Sequence, residues 1–406
     1  MRPQKTFFQE LGSAAALFSD GDWIESKDQD SSGNIRLIQL ADIGDGSFIN
    51  KSNRFMNIET AKRLNCTFLK KGDILIARMP DPLGRCCIFP FDEHEKYVTV
   101  VDIAVLRLKE NYDNSYVKHL INTPQIRHEI SIQSTGTTRT RITRKKLEKL
   151  RVPLPPLAEQ QKIAAILDAA DSLRQKDQQL VERYTALSQS LFLEMFGDPV
   201  TNPMGWKTAK LKEVCNKITD GTHHSPELIE FGIPYVTAKH VKDYGLDFHA
   251  KATYVSQQDH DEIYKRCSPE YGDVLYIKDG ATTGIACINT FKSPISLLSS
   301  LALIKPNRLT INNYYLCYWL NHKGIKEKLI KEYMSGAAIQ RYTLAKINEF
   351  IVTLPPTTLQ NQFAERIQLI EAQKQQAQRS LEKSEALFNS LLQRAYTGEL
   401  TAKMAA

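Results

Sequence analysis

The feature that most constrains this chain is that it states one pattern twice, 200 residues apart. Ser134–Pro156 reads STGTTRTRITRKKLEKLRVPLPP, and Met334–Pro356 reads MSGAAIQRYTLAKINEFIVTLPP. Gly136 pairs with Gly336, Arg141 with Arg341, Thr143 with Thr343, Lys146 with Lys346, and Leu154-Pro155-Pro156 with Leu354-Pro355-Pro356. Upstream, Gly72-Asp73-Ile74-Leu75 pairs with Gly272-Asp273-Val274-Leu275, and Gly84, Cys87 and Ile88 pair with Gly284, Cys287 and Ile288. Solenoid repeats recur at about 20–50 residues, so a single long offset marks a duplicated domain. A duplicated domain sets two similar binding faces in one chain, as a homodimer would.

Each copy divides in two. The first part reads as mixed α/β, with short strands expected at 35–40, 73–77, 98–108, 233–237, 273–277 and 297–304, punctuated by Gly, Asp, Asn and Pro. The second part carries helical periodicity. After Pro156, a stretch without Gly or Pro places Ile163, Ile166, Ala170, Leu173, Leu180, Tyr184, Leu187 and Leu191 on a three-then-four spacing, up to Gly197-Asp198-Pro199. After Pro356, Ile367, Ile370, Ala377, Leu381, Phe388, Leu391 and Ala395 repeat it, with Gly398 beyond. A helix of about forty residues is ~60 Å long, more than one small domain covers. Each seam therefore predicts burial against the other as a coiled coil.

Composition excludes less. With 406 residues the chain holds two or more cores. Lys and Arg number 53 against 46 Asp and Glu, a net +7 that permits a polyanion partner without requiring one. The seven cysteines include no CxxC pair, which points to reduced thiols and a cytoplasmic protein. The start, MRPQKTFFQELGSAAALFSDGDW, lacks a signal-peptide core, and no apolar run approaches a membrane span. There is no GxxxxGK[ST] phosphate loop, no HExxH, no nucleophile elbow and no Asn/Asp-Pro-Pro-Tyr/Phe turn. The only Asp/Glu-x-Lys tripeptide of the nuclease type is Glu25-Ser26-Lys27, a chance match in a chain with 46 acidic residues. An enzyme with its own catalytic site is thus the less favoured class.

The strongest electrostatic signal precedes the first Pro-Pro. Arg139, Arg141, Arg144, Lys145, Lys146, Lys149 and Arg151 fall within thirteen residues, opposed only by Glu148, after the small donors Ser134 to Thr138. Such side chains and backbone N–H groups grip phosphates. A solubilising charged helix face accounts for the same residues. The duplicate keeps Arg341 and Lys346 beside Gln340 and Tyr342 while losing the other charge, so matched positions would grip and unmatched ones would read base edges. Weaker candidates lie in the matched loops, with Arg78 and Arg85 in the first and Lys278, Thr282 and Thr283 in the second. A plain hairpin turn explains those loops equally.

These residues resemble the specificity subunit of type I restriction–modification systems. The resemblance rests on Leu157-Ala158-Glu159-Gln160-Gln161-Lys162-Ile163 opening a helix after Leu-Pro-Pro, on Leu193-Glu194-Met195-Phe196-Gly197-Asp198-Pro199 closing it, on Gly205-Trp206-Lys207 with Leu211, and on the repetition. It covers nearly the whole chain. Two departures stand out: the chain opens MRPQKTFFQEL without a Gly-Trp pair, and the second helix carries Gln360-Asn361-Gln362 in place of Glu159-Gln160-Gln161. The resemblance implies an α+β fold with target recognition domains at 1–156 and 200–356. It also implies spacer helices at 157–199 and 357–406, packed as an antiparallel coiled coil with pseudo-twofold symmetry. It further implies a non-catalytic subunit on double-stranded DNA, reading one half of a split, asymmetric target with each domain. Two modification subunits and two restriction subunits would be its partners, and S-adenosylmethionine, ATP and Mg would belong to them. The competing readings are a stand-alone DNA-binding or nuclease protein and a coiled-coil scaffold without a DNA role.

Overall fold

The computed structural model describes residues 8–136, 140–242, 245–334 and 341–402. The chain forms two units, Met1–Asp177 with Ser380–Ala406, and Gln178–Arg379. Each contains one sheet-rich domain together with parts of both long helices, Leu157–Phe196 and Thr357–Tyr396.

In the first unit, Ile103–Leu108 sits between Ala15–Asp20 and Ile74–Ala77, and Cys86–Ile88 closes an antiparallel four-stranded sheet. A second sheet sets Ile35–Ile38 antiparallel to Arg54–Met56 and parallel to Tyr97–Thr99. The second unit repeats this order with Cys215–Asp220, Leu301–Pro306, Val274–Ile277 and Ala286–Ile288 in one sheet, and with Tyr254–Val255, Ile233–Val236 and Ser296–Leu297 in the other. Even the register repeats: Ile74 faces Ile88 as Val274 faces Ile288. The central strands are apolar on both faces because Ile74–Ala77 and Val274–Ile277 are buried throughout.

The apolar runs 98–108 and 297–304 are not single strands. Each breaks into a short strand in the three-stranded sheet and a longer one in the four-stranded sheet. The chain turns between the sheets, where Ile103 N donates to Val100 O at 3.1 Å and Leu301 N to Leu298 O at 3.0 Å. The first described strand has a counterpart in the second unit. Phe8–Glu10 pairs with Arg151–Pro153 as Lys207–Lys210 pairs with Ile351–Leu354, so Leu11 is the counterpart of Leu211.

Both helices are forty residues long. In the first unit Ile163, Ala164 and Leu167 share a core with Leu392 and Ala395; in the second, Phe192 and Phe196 share one with Phe363 and Ile367. The start of one helix thus lies on the end of the other, which is antiparallel packing. The expected seam is open at three of its eight positions in the first helix and covered or half-covered at all seven in the second. Leu173, Leu180 and Leu187 are exposed by 47%, 40% and 49%, whereas Leu167 and Ser188 are buried at 2% each. The covered stripe runs one residue away from those leucines, through Arg174, Val181 and Ser188, because neighbouring side chains rather than residue type decide which face is closed.

The helix starts are locked by a carboxamide. At the constant offset Gln360 is the equivalent of Gln160, so this glutamine is retained, while Leu359 and Asn361 replace Glu159 and Gln161. Both glutamines are fully buried. Gln160 Oε1 accepts from Asp113 N at 3.0 Å and its Nε2 donates to Pro155 O at 2.7 Å. Gln360 repeats this with Asn312 N at 2.7 Å and Pro355 O at 2.7 Å. The fourth residue after each Leu-Pro-Pro thereby joins the long helix to the N-cap of a short helix, Asn114–Ile121 or Asn313–Asn321. Replacing Gln160 by Leu strands a buried donor and a buried acceptor, and is expected to cost ~2 kcal/mol. Urea unfolding followed by circular dichroism checks this, and an unchanged midpoint would refute the lock.

Candidate nucleic-acid interface

In an antiparallel sheet alternate strands end on the same side, so the loops that follow Asp20 and Ala77 and precede Ile103 and Cys86 emerge together. At this end of the first unit Arg78 is 6% exposed. Its guanidinium pairs with Asp20 and donates to Ile142 O at 3.0 Å and Val101 O at 3.2 Å. Burial pushes its pKa down, and Asp20 opposes the shift. The Arg78 carbonyl in turn accepts from Ile142 N at 3.1 Å. The second unit builds the same clasp with a lysine. Lys278 Nζ lies 3.3 Å from Asp220, and the Lys278 carbonyl accepts from Tyr342 N at 2.8 Å. Arg266 at 2.5 Å and His223 at 3.3 Å also face Asp220.

The clasp positions Arg141 and Arg341 at the sheet end, with different freedom. Arg141 donates to Val101 O at 2.9 Å and lies 3.5 Å from Asp102, with its side chain 34% exposed. Arg341 lies opposite Asp279 in an antiparallel bridge, and its exposed side chain has no hydrogen-bond or ion-pair partner among the described residues. Arg144 is held by Asp20 at 3.3 Å and by Glu148. Lys145 is exposed, and Lys146 donates to Gln133 O at 2.6 Å. Lys346 is half-buried in the helix that Thr343 caps.

Three sequence candidates serve the frame. Besides Arg78, Arg85 is 8% exposed and gives its guanidinium to Ile43 O at 2.7 Å, Leu40 O at 3.0 Å and Pro82 O at 3.0 Å. Tyr342 is 1% exposed, against Tyr276 and Phe350. Thr282 is exposed, and Thr283 Oγ1 donates to Gly280 O at 2.7 Å within its own turn. Thr138, Arg139 and Gln340 lie outside the described residues. Glu25 and Lys27 form an exposed ion pair at 2.6 Å. No group of three His, Cys, Asp or Glu among the described residues is placed to hold a metal ion.

Other features of this end were not anticipated. Gly21 and Gly221 follow the clasp acids. A Cβ at Gly21 would sit 2.0 Å from Val100 O, and one at Gly221 would sit 1.9 Å from Leu297 O, so only glycine lets the strand pass there. Next in the chain come Trp23, 69% exposed with Nε1 donating to Glu25 at 3.3 Å, and in the second unit the loop bearing Phe231, 78% exposed. The shared Asp-Gly at the constant offset was the signal for the glycines; exposure of the rings has no sequence signal.

Residues 9–183 and 203–383 each match the type I restriction modification DNA specificity domain. The chain is 22% identical over 342 residues to the type I restriction enzyme MjaIX specificity subunit of Methanocaldococcus jannaschii, covering 79% of this chain and 76% of that one. It is 22% identical over 327 residues to the EcoBI specificity subunit of Escherichia coli, covering 73% and 67%. The crystal structure of the type I S subunit from M. genitalium shares the fold at a TM-score of 0.60, with 16% identity and 98% of both chains covered. The architecture is that of a duplicated recognition subunit with two specificity domains and long helices. The chain belongs to the family of type I restriction–modification specificity subunits. No described helix is long and apolar enough to cross a membrane.

Asp22, between the glycine and Trp23, accepts from Thr67 N at 3.1 Å. Burial raises its carboxyl to about 6, against the opposing effect of the Thr67 bond. The folded state therefore holds this proton more tightly than the unfolded chain. The stability it contributes is full below the unfolded carboxyl pKa of about 3.9 and is lost as pH rises through about 6. Asp22→Asn removes that loss, so its melting temperature relative to wild type is expected to rise from pH 4.5 to pH 7.5. Parallel pH profiles of the two proteins would disprove the assignment.

Proposed function

We propose that this chain is the non-catalytic DNA-reading subunit of a type I restriction–modification assembly, with each unit reading one half of a split, asymmetric target. The observation that carries this reading is the duplicated clasp with unlike loops around it. Asp20–Arg78 and Asp220–Lys278 hold the same backbone frame. The residues presented on that frame differ: an anchored Arg141 against a free Arg341, and Trp23 against Phe231. Two frames alike with two surfaces unlike suit a target whose halves differ in sequence. Exposed cations supply phosphate attraction that is independent of sequence, and exposed rings supply stacking or wedging surfaces for bases.

In this reading two modification subunits and two restriction subunits join the chain, and S-adenosylmethionine, ATP and Mg belong to them. The exposed Leu173, Leu180 and Leu187, seven residues apart on one helix, give such partners an apolar face. Methylome sequencing of cells with and without the gene tests the reading. The loss of one split motif is expected, and loss of none would overturn it.

Two variants probe the parts. Arg341→Ala removes one free cation and is expected to lower the slope of log affinity against log salt by about one. An altered base preference with an unchanged slope would show instead that Arg341 contacts a base. The helices would set the gap between half-sites. Inserting seven residues after Asp177 and seven after Arg379 keeps the helical faces nearly in phase. It lengthens each helix by about 10 Å, the rise of about three base pairs. A methylated motif with its gap unchanged would refute the spacer role.

A further inference from the structure

The second unit contains a cavity of about 540 Å³ beside its helices that the DNA-reading role does not use. Its walls include Phe192, Tyr314 and Tyr318, with Ser188 on the helix side. The first unit shows what closes the equivalent place. The two recognition folds superimpose residue for residue here, since Asn122 bridges Cys86 N and O as Asn321 bridges Ala286 N and O. In the first unit Phe388 occupies the position of Ser188, its ring 5.7 Å from that of His119 and covered by Arg174 at 5.3 Å. Around it Asp168 draws in Ser115 at 2.6 Å, His119 at 2.7 Å and Lys118 at 3.3 Å. Arg127 pairs with Asp45 at 2.6 Å.

In the second unit each of these plugs is exchanged. Ser188 stands for Phe388, Tyr318 for His119, Gln368 for Asp168 and Gly245 for Asp45. Ser188 is 2% exposed and turns its hydroxyl back to Tyr184 O at 3.0 Å, so it fills little of the space. Tyr318 donates to Glu371, which engages the one carboxylate on the wall. Lys374 lines the same cavity, with Lys326 and with Lys323, 4.0 Å from Glu327, so lysines outnumber carboxylates on its lining. Aromatic walls, a half-open volume in the range of small-molecule sites and a basic rim define the ligand by its chemistry. We propose that this cavity binds a small planar aromatic anion, a site present in one unit and plugged in the other. The proposal is independent of the DNA-reading role.

The probe is 1-anilinonaphthalene-8-sulfonate, titrated into the full chain and followed by fluorescence. One saturable site per chain is expected. Ser188→Phe rebuilds the plug of the first unit and is expected to weaken binding at least about tenfold, with DNA binding unchanged. Ser188→Leu is the second plug, should the larger ring not be accommodated; circular dichroism and melting establish that each variant is folded. Lys374→Gln is expected to weaken the anionic probe about threefold and to leave the neutral N-phenyl-1-naphthylamine unaffected, as for one partly exposed charge pair. Absence of a saturable site, or probe binding unchanged in both folded plug variants, would overturn the cavity as a site. Equal losses of both probes in Lys374→Gln would overturn the requirement for an anion.

Discussion

The buried carboxamide at Gln160 and Gln360 is the interaction on which both halves depend. A long helix that begins straight after a strand has unsatisfied backbone donors at its first turn and no side chain committed to the domain it leaves. Gln160 supplies the tie to that domain, accepting from Asp113 N and donating to Pro155 O. The proline pair stops the strand and starts the helix, and the glutamine holds that start to the recognition fold. Tyr116 adds a hydroxyl bond to Pro153 O at 2.8 Å, and Tyr315 repeats it at Thr353 O at 2.9 Å. The two bonds fix where each long helix starts on the fold it leaves.

At the opposite role stands the clasp between a strand-end acid and a cation. It is conservative in geometry and permissive in chemistry, since Arg78 and Lys278 perform it equally. It spends charge on structure, which leaves less for a polyanion than the count of lysines and arginines suggests. Arg78, Arg85, Arg141 and Arg144 all hold internal oxygens in the first unit. Among the described residues of the basic run, Lys145 and Lys149 are exposed, as is Arg341 in the second unit. Symmetry of frame and asymmetry of surface thus arise from the same duplication.

Much of the architecture was legible because repetition is a property of sequence. The constant offset located the matched Gly-Asp strand entries, the Leu-Pro-Pro joints and both helices. The same offset also contained Gln160 with Gln360 and Gly21 with Gly221, which a search for catalytic motifs passes over. The apolar seam was half legible. Leucine drew the stripe to Leu173, Leu180 and Leu187, yet burial follows the adjacent line through Arg174, Val181 and Ser188. Side chains at successive helical positions lie about 100° apart, so an error of one residue exchanges a covered face for an open one.

By itself the sequence determined that there are two copies of one domain and that a Gly- and Pro-free helix follows each. Those conclusions need only local periodicity, breakers and self-similarity. The tertiary structure alone decided which cations are free. Arg78 meets an aspartate 58 residues away, and Arg85 meets carbonyls 42 and 45 residues away. Partners so distant in the chain leave no spacing signal, and burial of a guanidinium depends on every loop that closes over it. The same holds for the cavity beside Ser188, since an empty volume is defined by the side chains that fail to fill it.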